Sequence, residues 1–134
     1  MDTILIDDDP TSIFLTTRLL KREGQPADTV KSFRSPVDAV AFFRKQAPTG
    51  SLPHVVLLDL NMPLLSGWEV LEALKPLEVS LLGKSAFYIL TSSLALADMA
   101  RAKGYPLVAG VLHKPLDRAE IQTIQARVQE TMPS

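Results

Sequence analysis

The sequence contains no cysteine among its 134 residues. Disulfide bonds, thiol nucleophiles and cysteine-ligated zinc are therefore excluded together. It also lacks an excess of charge of one sign, because 14 basic and 15 acidic residues leave a net charge of −1. A near-neutral chain without a run of lysine or arginine gives no electrostatic reason to expect nucleic acid as a partner.

Long apolar runs are absent as well. No segment approaches the roughly 18 apolar residues that a membrane-spanning helix requires. The apolar residues 3–6 follow Met1 and Asp2 without a basic leader, so neither a signal peptide nor a membrane partner is expected. There is no repeat, low-complexity tract or linker. We expect one cytoplasmic domain that spans residues 1–134 and carries no attached output domain.

The most informative stretch is the unbroken apolar run at residues 55–58, which ends on Asp59 and is followed by Asn61 and Pro63. A run without polar alternation is typical of a strand buried on both faces, as in parallel sheets covered by helices. Ligands of such sheets bind outside the carboxyl ends of the strands. The pattern therefore predicts that Asp59 lies where the chemistry takes place.

Further strands are predicted on either side of this run, at residues 3–6, 28–33, 87–90 and 108–112. Helical segments follow the strands, at residues 10–23, 36–46, 68–74, 94–103 and 118–131. Five strands that alternate with five helices through short connections predict an α/β fold. In this fold a doubly wound parallel sheet has right-handed crossovers.

The first helix has clear local signals. Asp9 before Pro10 is predicted to cap it, and Ser35 before Pro36 caps the second helix in the same way. In the first helix we expect an inward apolar stripe. Its members are Ile13, Phe14, Thr17 and Leu20.

Polar residues gather at the predicted carboxyl ends of four strands: Asp7 and Asp8, Asp59, Thr91 and Lys114. Carboxylates about 4 Å apart repel by roughly 4 kcal/mol at an effective dielectric constant near ~20. Such a cluster needs a cation, and an oxygen-only ligand set favours Mg²⁺. A carboxylate nucleophile, Mg²⁺ and a lysine are what the acceptance of a phosphoryl group requires.

Four motifs make the sequence resemble the receiver domains of bacterial two-component response regulators over essentially its full length. They are ILIDDDP at residues 4–10, LDLNMP at 58–63 with Ser66 and Gly67 following, ILTS at 89–92 and LHKP at 112–115. The segment GWE at residues 67–69 resembles the stand-alone, chemotaxis-regulator-like receivers. The resemblance implies a flavodoxin-like five-stranded sheet with the order 2-1-3-4-5.

The resemblance also implies roles for the acidic residues. Asp59 is the phosphoacceptor, and it receives phosphate from a sensor histidine kinase or a histidine phosphotransfer protein. Asp8 and Asp59 bind Mg²⁺, Asp7 binds it through water, and Asn61 binds it through its backbone carbonyl. The chain would catalyse its own phosphorylation and dephosphorylation rather than turn over a separate substrate.

At the phosphoryl side, the resemblance implies that Thr91 and Lys114 hold the phosphoryl oxygens and that the bond from Lys114 to Pro115 is cis. Receivers usually carry Tyr or Phe three residues before this lysine, but the residue here is Val111. We therefore expect a switch through Thr91, Ser92 and Val111 that moves a loop and helix without an aromatic rotamer change. The signal would reach a downstream protein through the fourth helix, the fifth strand and the fifth helix.

Three alternatives stay open. A phosphorelay shuttle would use the same site to pass phosphate between histidine proteins. Residues 7–11, DDDPT, also fit the Asp-x-Asp-x-Thr signature of haloacid-dehalogenase-like phosphatases. A pseudo-receiver that never becomes phosphorylated is the third.

Overall fold

The computed structural model describes residues 1–93 and 95–131. Within these residues the chain forms a five-stranded parallel sheet with the order β2-β1-β3-β4-β5. The strands are β1 (Asp2–Ile6), β2 (Thr29–Phe33), β3 (Val55–Asp59), β4 (Ala86–Thr91) and β5 (Val108–His113). The helices are α1 (Pro10–Glu23), α2 (Pro36–Gln46), α3 (Gly67–Leu74), α4 (Leu96–Ala102) and α5 (Arg118–Thr131). The predicted fold is confirmed.

The connection from α3 to β4 departs from a simple loop. A 3₁₀ turn at Lys75–Leu77 and a single α-helical turn at Glu78–Leu81 follow α3. Pro76 has no amide hydrogen to continue the helical bonding, so the regular helix stops before it. The predicted start of the fourth helix, Leu94, lies outside the described residues, and so do residues 132–134. Among the described residues, no helix combines the length and hydropathy of a membrane span.

Both predicted helix caps are confirmed. The Asp9 carboxylate accepts a hydrogen bond from the Thr11 amide at 3.0 Å, and the Ser35 hydroxyl accepts one from the Asp38 amide at 3.4 Å. Each bond satisfies a backbone donor that the first helical turn leaves without a partner. Local sequence signals thus fix where α1 and α2 begin.

The sheet is covered unequally. All five residues of β3 are buried, as predicted for a strand enclosed on both faces. Among the described residues, three helices cover one face of the sheet, and the residues that pack there include Val40 of α2, Leu71 of α3 and Ala102 of α4. Two helices cover the other face, where Leu20 of α1 and Ile124 of α5 are buried. Edge strand β2 is the most exposed strand, because three of its five residues are exposed, compared with two of six in β5.

The predicted inward stripe of α1 is wrong at one position. Phe14 is 58% exposed, whereas Leu20 is buried and Ile13 packs against the core. Helical periodicity marks an apolar arc but does not tell how far the neighbouring elements extend around it. Phe14 lies on the side of α1 that faces β2, and its side chain points into a groove between the two elements.

Replacing a buried and an exposed phenylalanine tests this arrangement. Phe43→Ala should lower the free energy of unfolding by about 3–5 kcal/mol, because Phe43 is fully buried on α2 and its ring packs on Phe87. Phe14→Ala should change it by no more than about 0.5 kcal/mol. Urea unfolding of both variants measures the difference. A large loss in Phe14→Ala would mean that the side chain packs against the core after all.

Candidate functional site

The carboxylates predicted from the sequence meet at one edge of the sheet. Asp7 follows β1 directly, and Asp59 is the last residue of β3, whose pairing with β1 places Leu58 beside Ile6. One carboxylate oxygen from each of Asp7, Asp8 and Asp59 lies within 4.8 Å of the other two. Asp7 and Asp59 are buried, and Asp8 is half-buried at the mouth of the cluster.

Lys114 reaches this cluster from the end of β5. Its Nζ atom lies 2.8 Å from Asp7 Oδ2 and 3.3 Å from Asp59 Oδ1. Its backbone amide donates to the Thr91 carbonyl at 2.9 Å, which ties the ends of β4 and β5 together. The peptide bond between Lys114 and Pro115 is cis. The lysine therefore bridges two acids that belong to different strands.

The site carries more negative than positive charge. Burial and the Asp7 carboxylate raise the pKa of Asp59 to about 6, although Lys114 pulls in the opposite direction. Burial also opposes the charged form of Lys114. Its hydrogen bond to Asp7 and the charge of Asp59 outweigh that effect, so the pKa of Lys114 is raised. One ammonium thus faces three carboxylates, and the all-oxygen cluster has the ligand chemistry that suits Mg²⁺.

The backbone around Asp59 is held in place by the next turn of the chain. The Asn61 amide donates to Asp59 Oδ1 at 3.5 Å, a long contact, and the Leu60 amide donates to the Leu90 carbonyl at 3.0 Å. The Gly67 amide donates to the Leu60 carbonyl at 2.9 Å. These contacts fold the loop after β3 back over the end of the strand.

Sequence reasoning missed the reason for Gly67. A Cβ atom at this position would lie 2.8 Å from the Asp59 carbonyl oxygen, closer than real contacts allow. Only glycine lets the first turn of α3 pass so close to the end of β3. The sequence does contain a related signal. Ser66 forms a capping box with Glu69, and a glycine follows this cap directly.

Thr91 lies at the same sheet edge, but its hydroxyl is occupied within its own loop. It donates to the Ser93 carbonyl at 2.9 Å and accepts from the Ser93 amide at 3.1 Å. The side chain is buried, whereas Ser92 is exposed. Val111 is half-buried and packs against the core on the α2, α3 and α4 side.

Asp9 supports the site but is not part of the carboxylate cluster. Its carboxylate caps α1, and its amide donates to Asp7 Oδ1 at 3.0 Å, which helps to fix the orientation of Asp7. The prediction that Asp9 is a helix cap is confirmed. Of three consecutive acids, the structure brings Asp7 and Asp8 to the cluster and turns Asp9 away.

The raised pKa of Asp59 gives a pH-dependent stability. The pKa is about 6 in the folded protein and about 4 in an unfolded chain. The folded state therefore holds this proton more tightly, and the contribution of Asp59 to the free energy of unfolding falls as the pH rises from about 4 to about 6.

Without metal, Asp59→Asn should be more stable than wild type by about 1–2 kcal/mol above pH ~6, roughly one relieved repulsion after screening. The difference should vanish below about pH 4, where the aspartate is protonated in both states. Urea unfolding in EDTA across this range measures it. A difference that persists unchanged at acidic pH would show that ionisation of Asp59 is not its source.

Comparison with known proteins places the chain in a family. Over residues 3–126 the sequence matches the family described as "Response regulator receiver domain". A two-component response regulator from Cytophaga hutchinsonii is 26% identical, with 96% of each chain covered and a TM-score of 0.83. A response regulator receiver protein from Dyadobacter fermentans is 27% identical, with 100% of this chain and 99% of that chain covered and a TM-score of 0.83. No curated protein matches the sequence.

A more distant structure has the same fold. It comes from Borrelia burgdorferi and is described as a CheX-CheY-BeF3-Mg²⁺ complex. It is 19% identical, with 96% of this chain and 88% of that chain covered and a TM-score of 0.71. The family match spans nearly the whole chain and agrees with the strand order and with the acids and lysine found at one sheet edge. The chain belongs to the response regulator receiver family.

Proposed function

We propose that this receiver is a cytoplasmic phosphoacceptor. It takes a phosphoryl group onto Asp59 from a phosphohistidine of a sensor histidine kinase or a phosphotransfer protein, in a Mg²⁺-dependent reaction. The signal then passes through protein contacts of this domain. The observation that carries the proposal is the buried Asp59 carboxylate, held between a second acid and the Lys114 ammonium.

The proposed transfer needs little covalent chemistry from the protein. An Asp59 carboxylate oxygen attacks phosphorus, the P–N bond to the donor imidazole breaks, and a P–O bond forms. Asp59 must be ionised to attack, and Lys114, 3.3 Å from Asp59 Oδ1, favours that form. After transfer, the same ammonium can pair with a phosphoryl oxygen and offset the new negative charge.

The oxygen cluster fits the metal that the family implies. Asp8, Asp59 and the Asn61 carbonyl would hold Mg²⁺, with Asp7 contributing through water. When bound, the ion would neutralise the carboxylates and the incoming phosphoryl oxygens. Burial of Asp7 and Asp59 strengthens both the repulsion between them and the preference for a cation.

The alternatives are less well supported. A haloacid-dehalogenase-like phosphatase needs a further acidic pair at the end of a later strand, but β4 ends in Thr91 and Ser92 follows it. A pseudo-receiver would not be expected to keep a complete set of acids and lysine in contact. A phosphorelay shuttle shares all of this chemistry and differs only in whether a surface responds to phosphorylation.

The contacts of Thr91 suggest how a response would begin. If its hydroxyl turns to a phosphoryl oxygen, it must release the Ser93 carbonyl and amide that it now binds. Helix α4 follows this loop, and among its described residues only Ala102 is buried. Because Ala95 before it has no side-chain oxygen, no cap secures its start. We infer that α4 moves with the loop, while Val111 offers no ring to change rotamer.

The Borrelia structure, described as a complex of CheX with CheY, BeF3 and Mg²⁺, supports protein contact and metal binding as the mode of action of this fold. By analogy, we propose a downstream protein that binds the surface of α4, β5 and α5. Leu96 and Met99 of α4 are 84% and 43% exposed and provide apolar contact area there.

Phosphorylation is tested by intact mass after incubation with acetyl phosphate and Mg²⁺. Wild type should gain one phosphoryl group, and Asp59→Asn should gain none because the nucleophile is missing. Asp8→Ala should be strongly slowed, by about 10²-fold or more, through loss of a metal ligand. The Lys114→Ala variant should still bind Mg²⁺ but lose much of the conformational response to phosphorylation.

Two outcomes would contradict this prediction. Unchanged phosphorylation of Asp59→Asn would place the modification elsewhere. Continued release of phosphate from small phosphate esters, with no lasting mass change, would favour the phosphatase. Glu130→Gln, an exposed acid on α5, serves as a control that should behave like wild type.

The proposed output is tested by amide chemical shifts with and without beryllofluoride and Mg²⁺. Perturbations should extend from Asp59 through Ser92 and α4 to Val111, because release of the Thr91 hydroxyl frees the loop. Thr91→Ala should keep the perturbations near Asp59 and lose those in α4. If wild-type perturbations never reach α4 or β5, the chain is better described as a phosphate shuttle.

A further inference from the structure

A groove runs between α1 and edge strand β2, and Pro10 at the start of α1 also lines it. Its volume is about 410 Å³, and Ile13, Phe14 and Thr17 of α1 form one wall. Ser32 and Arg34, at the end of β2 and just beyond it, line the opposite side. The 58% exposed Phe14 is thus part of a concave apolar surface rather than an isolated exposed side chain.

The layer structure explains why this groove is open. In the part of the chain that the structure describes, helices α2, α3 and α4 cover one sheet face, whereas α1 and α5 cover the other. On that face α1 packs against α5 and also contacts β2, but three of the five residues of this edge strand stay exposed. Neighbouring helices pack about 8–10 Å apart, so a further helix could lie beside α1 and over β2.

The charge of the groove is of one sign. Arg18, Lys21 and Arg34 line it, and no carboxylate does among the described residues. The chain as a whole has 14 basic and 15 acidic residues, so this concentration of positive charge is local. The Arg18 guanidinium lies 5.7 Å from the centroid of the Phe14 ring, which places a cation next to the apolar surface.

We propose that this groove binds an acidic amphipathic helix of a partner protein. Apolar side chains of that helix, three and four residues apart, would pack on Ile13, Phe14 and Thr17. Its carboxylates would pair with Arg18, Lys21 and Arg34 at the rim. The partner helix would lie beside α1 and cover exposed residues of β2.

Binding there should not depend on phosphorylation. The groove lies at the β2 edge of the sheet, whereas Thr91 and Val111 belong to β4 and β5 at the other end of the strand order. None of the described residues that line it belongs to the loop after Thr91, to α4 or to β5. A partner held in this groove would therefore remain bound in both states of Asp59.

The test uses a synthetic helical peptide of about 18 residues, with leucines at i, i+3, i+4 and i+7 and glutamates elsewhere. It is titrated into the full chain while amide chemical shifts are followed. Perturbations should map to α1 and β2, with a dissociation constant of about 10–100 µM that weakens as salt is added. A peptide with lysine in place of glutamate should not bind.

Matched variants locate the contact. Phe14→Ser and Arg18→Glu should each weaken binding by about tenfold. Leu15→Ser is the control, because Leu15 is 55% exposed on the same helix but does not line the groove. All three side chains are exposed, and urea unfolding checks that each variant is folded. Asp59→Asn, and wild type with beryllofluoride and Mg²⁺, should bind the peptide as tightly as untreated wild type.

Several results would overturn the proposal. They are the absence of shifts in the groove at about 1 mM peptide, equal binding of the lysine peptide, and equal losses in Leu15→Ser and Phe14→Ser. Inorganic phosphate that shifts the groove amides as strongly as the peptide would indicate a small-anion site instead. Because the Asp59→Asn arm does not require phosphorylation, failure of the proposed phosphoacceptor chemistry would leave this test unaffected.

Discussion

Two buried carboxylates that share one lysine are the constraint on which the rest of this structure depends. Asp7 and Asp59 approach each other because β1 and β3 are parallel neighbours, and Lys114 reaches both from β5. Burial makes their repulsion strong, and it also makes the site receptive to a cation. The fold thus retains an electrostatic imbalance that would be a defect in a purely structural core and that suits the proposed acceptance of a phosphoryl group.

The surroundings of the acids differ in how tightly they are packed. Gly67 lets α3 pack directly on the Asp59 backbone, so the β3 side of the site is closely packed. On the β4 side, the Thr91 hydroxyl is held by two hydrogen bonds to Ser93, and the helix beyond is short and sparsely buried. A new acceptor beside Asp59 would therefore act on the weaker side. The partly exposed strand β2 lies at the opposite edge of the sheet from β5.

Most of the fold could be predicted because its signals are local. The buried run of β3, the caps Asp9 and Ser35 and the alternation of strands with helices are written in short stretches of sequence. The error at Phe14 shows the limit of such signals. Periodicity identifies an apolar position, but whether it is buried depends on elements distant in sequence.

The sequence by itself determined the strand ends at which Asp7, Asp8, Asp59, Thr91 and Lys114 lie, because parallel strands bring their carboxyl ends to one edge. Only the tertiary structure decided their partners. It pairs Lys114 with Asp7 more closely than with Asp59, turns the Thr91 hydroxyl to Ser93 and places the Gly67 backbone against Asp59. The contacts of Lys114 and Gly67 join residues from different elements at distances of a few ångströms, and no local pattern in the chain encodes such distances.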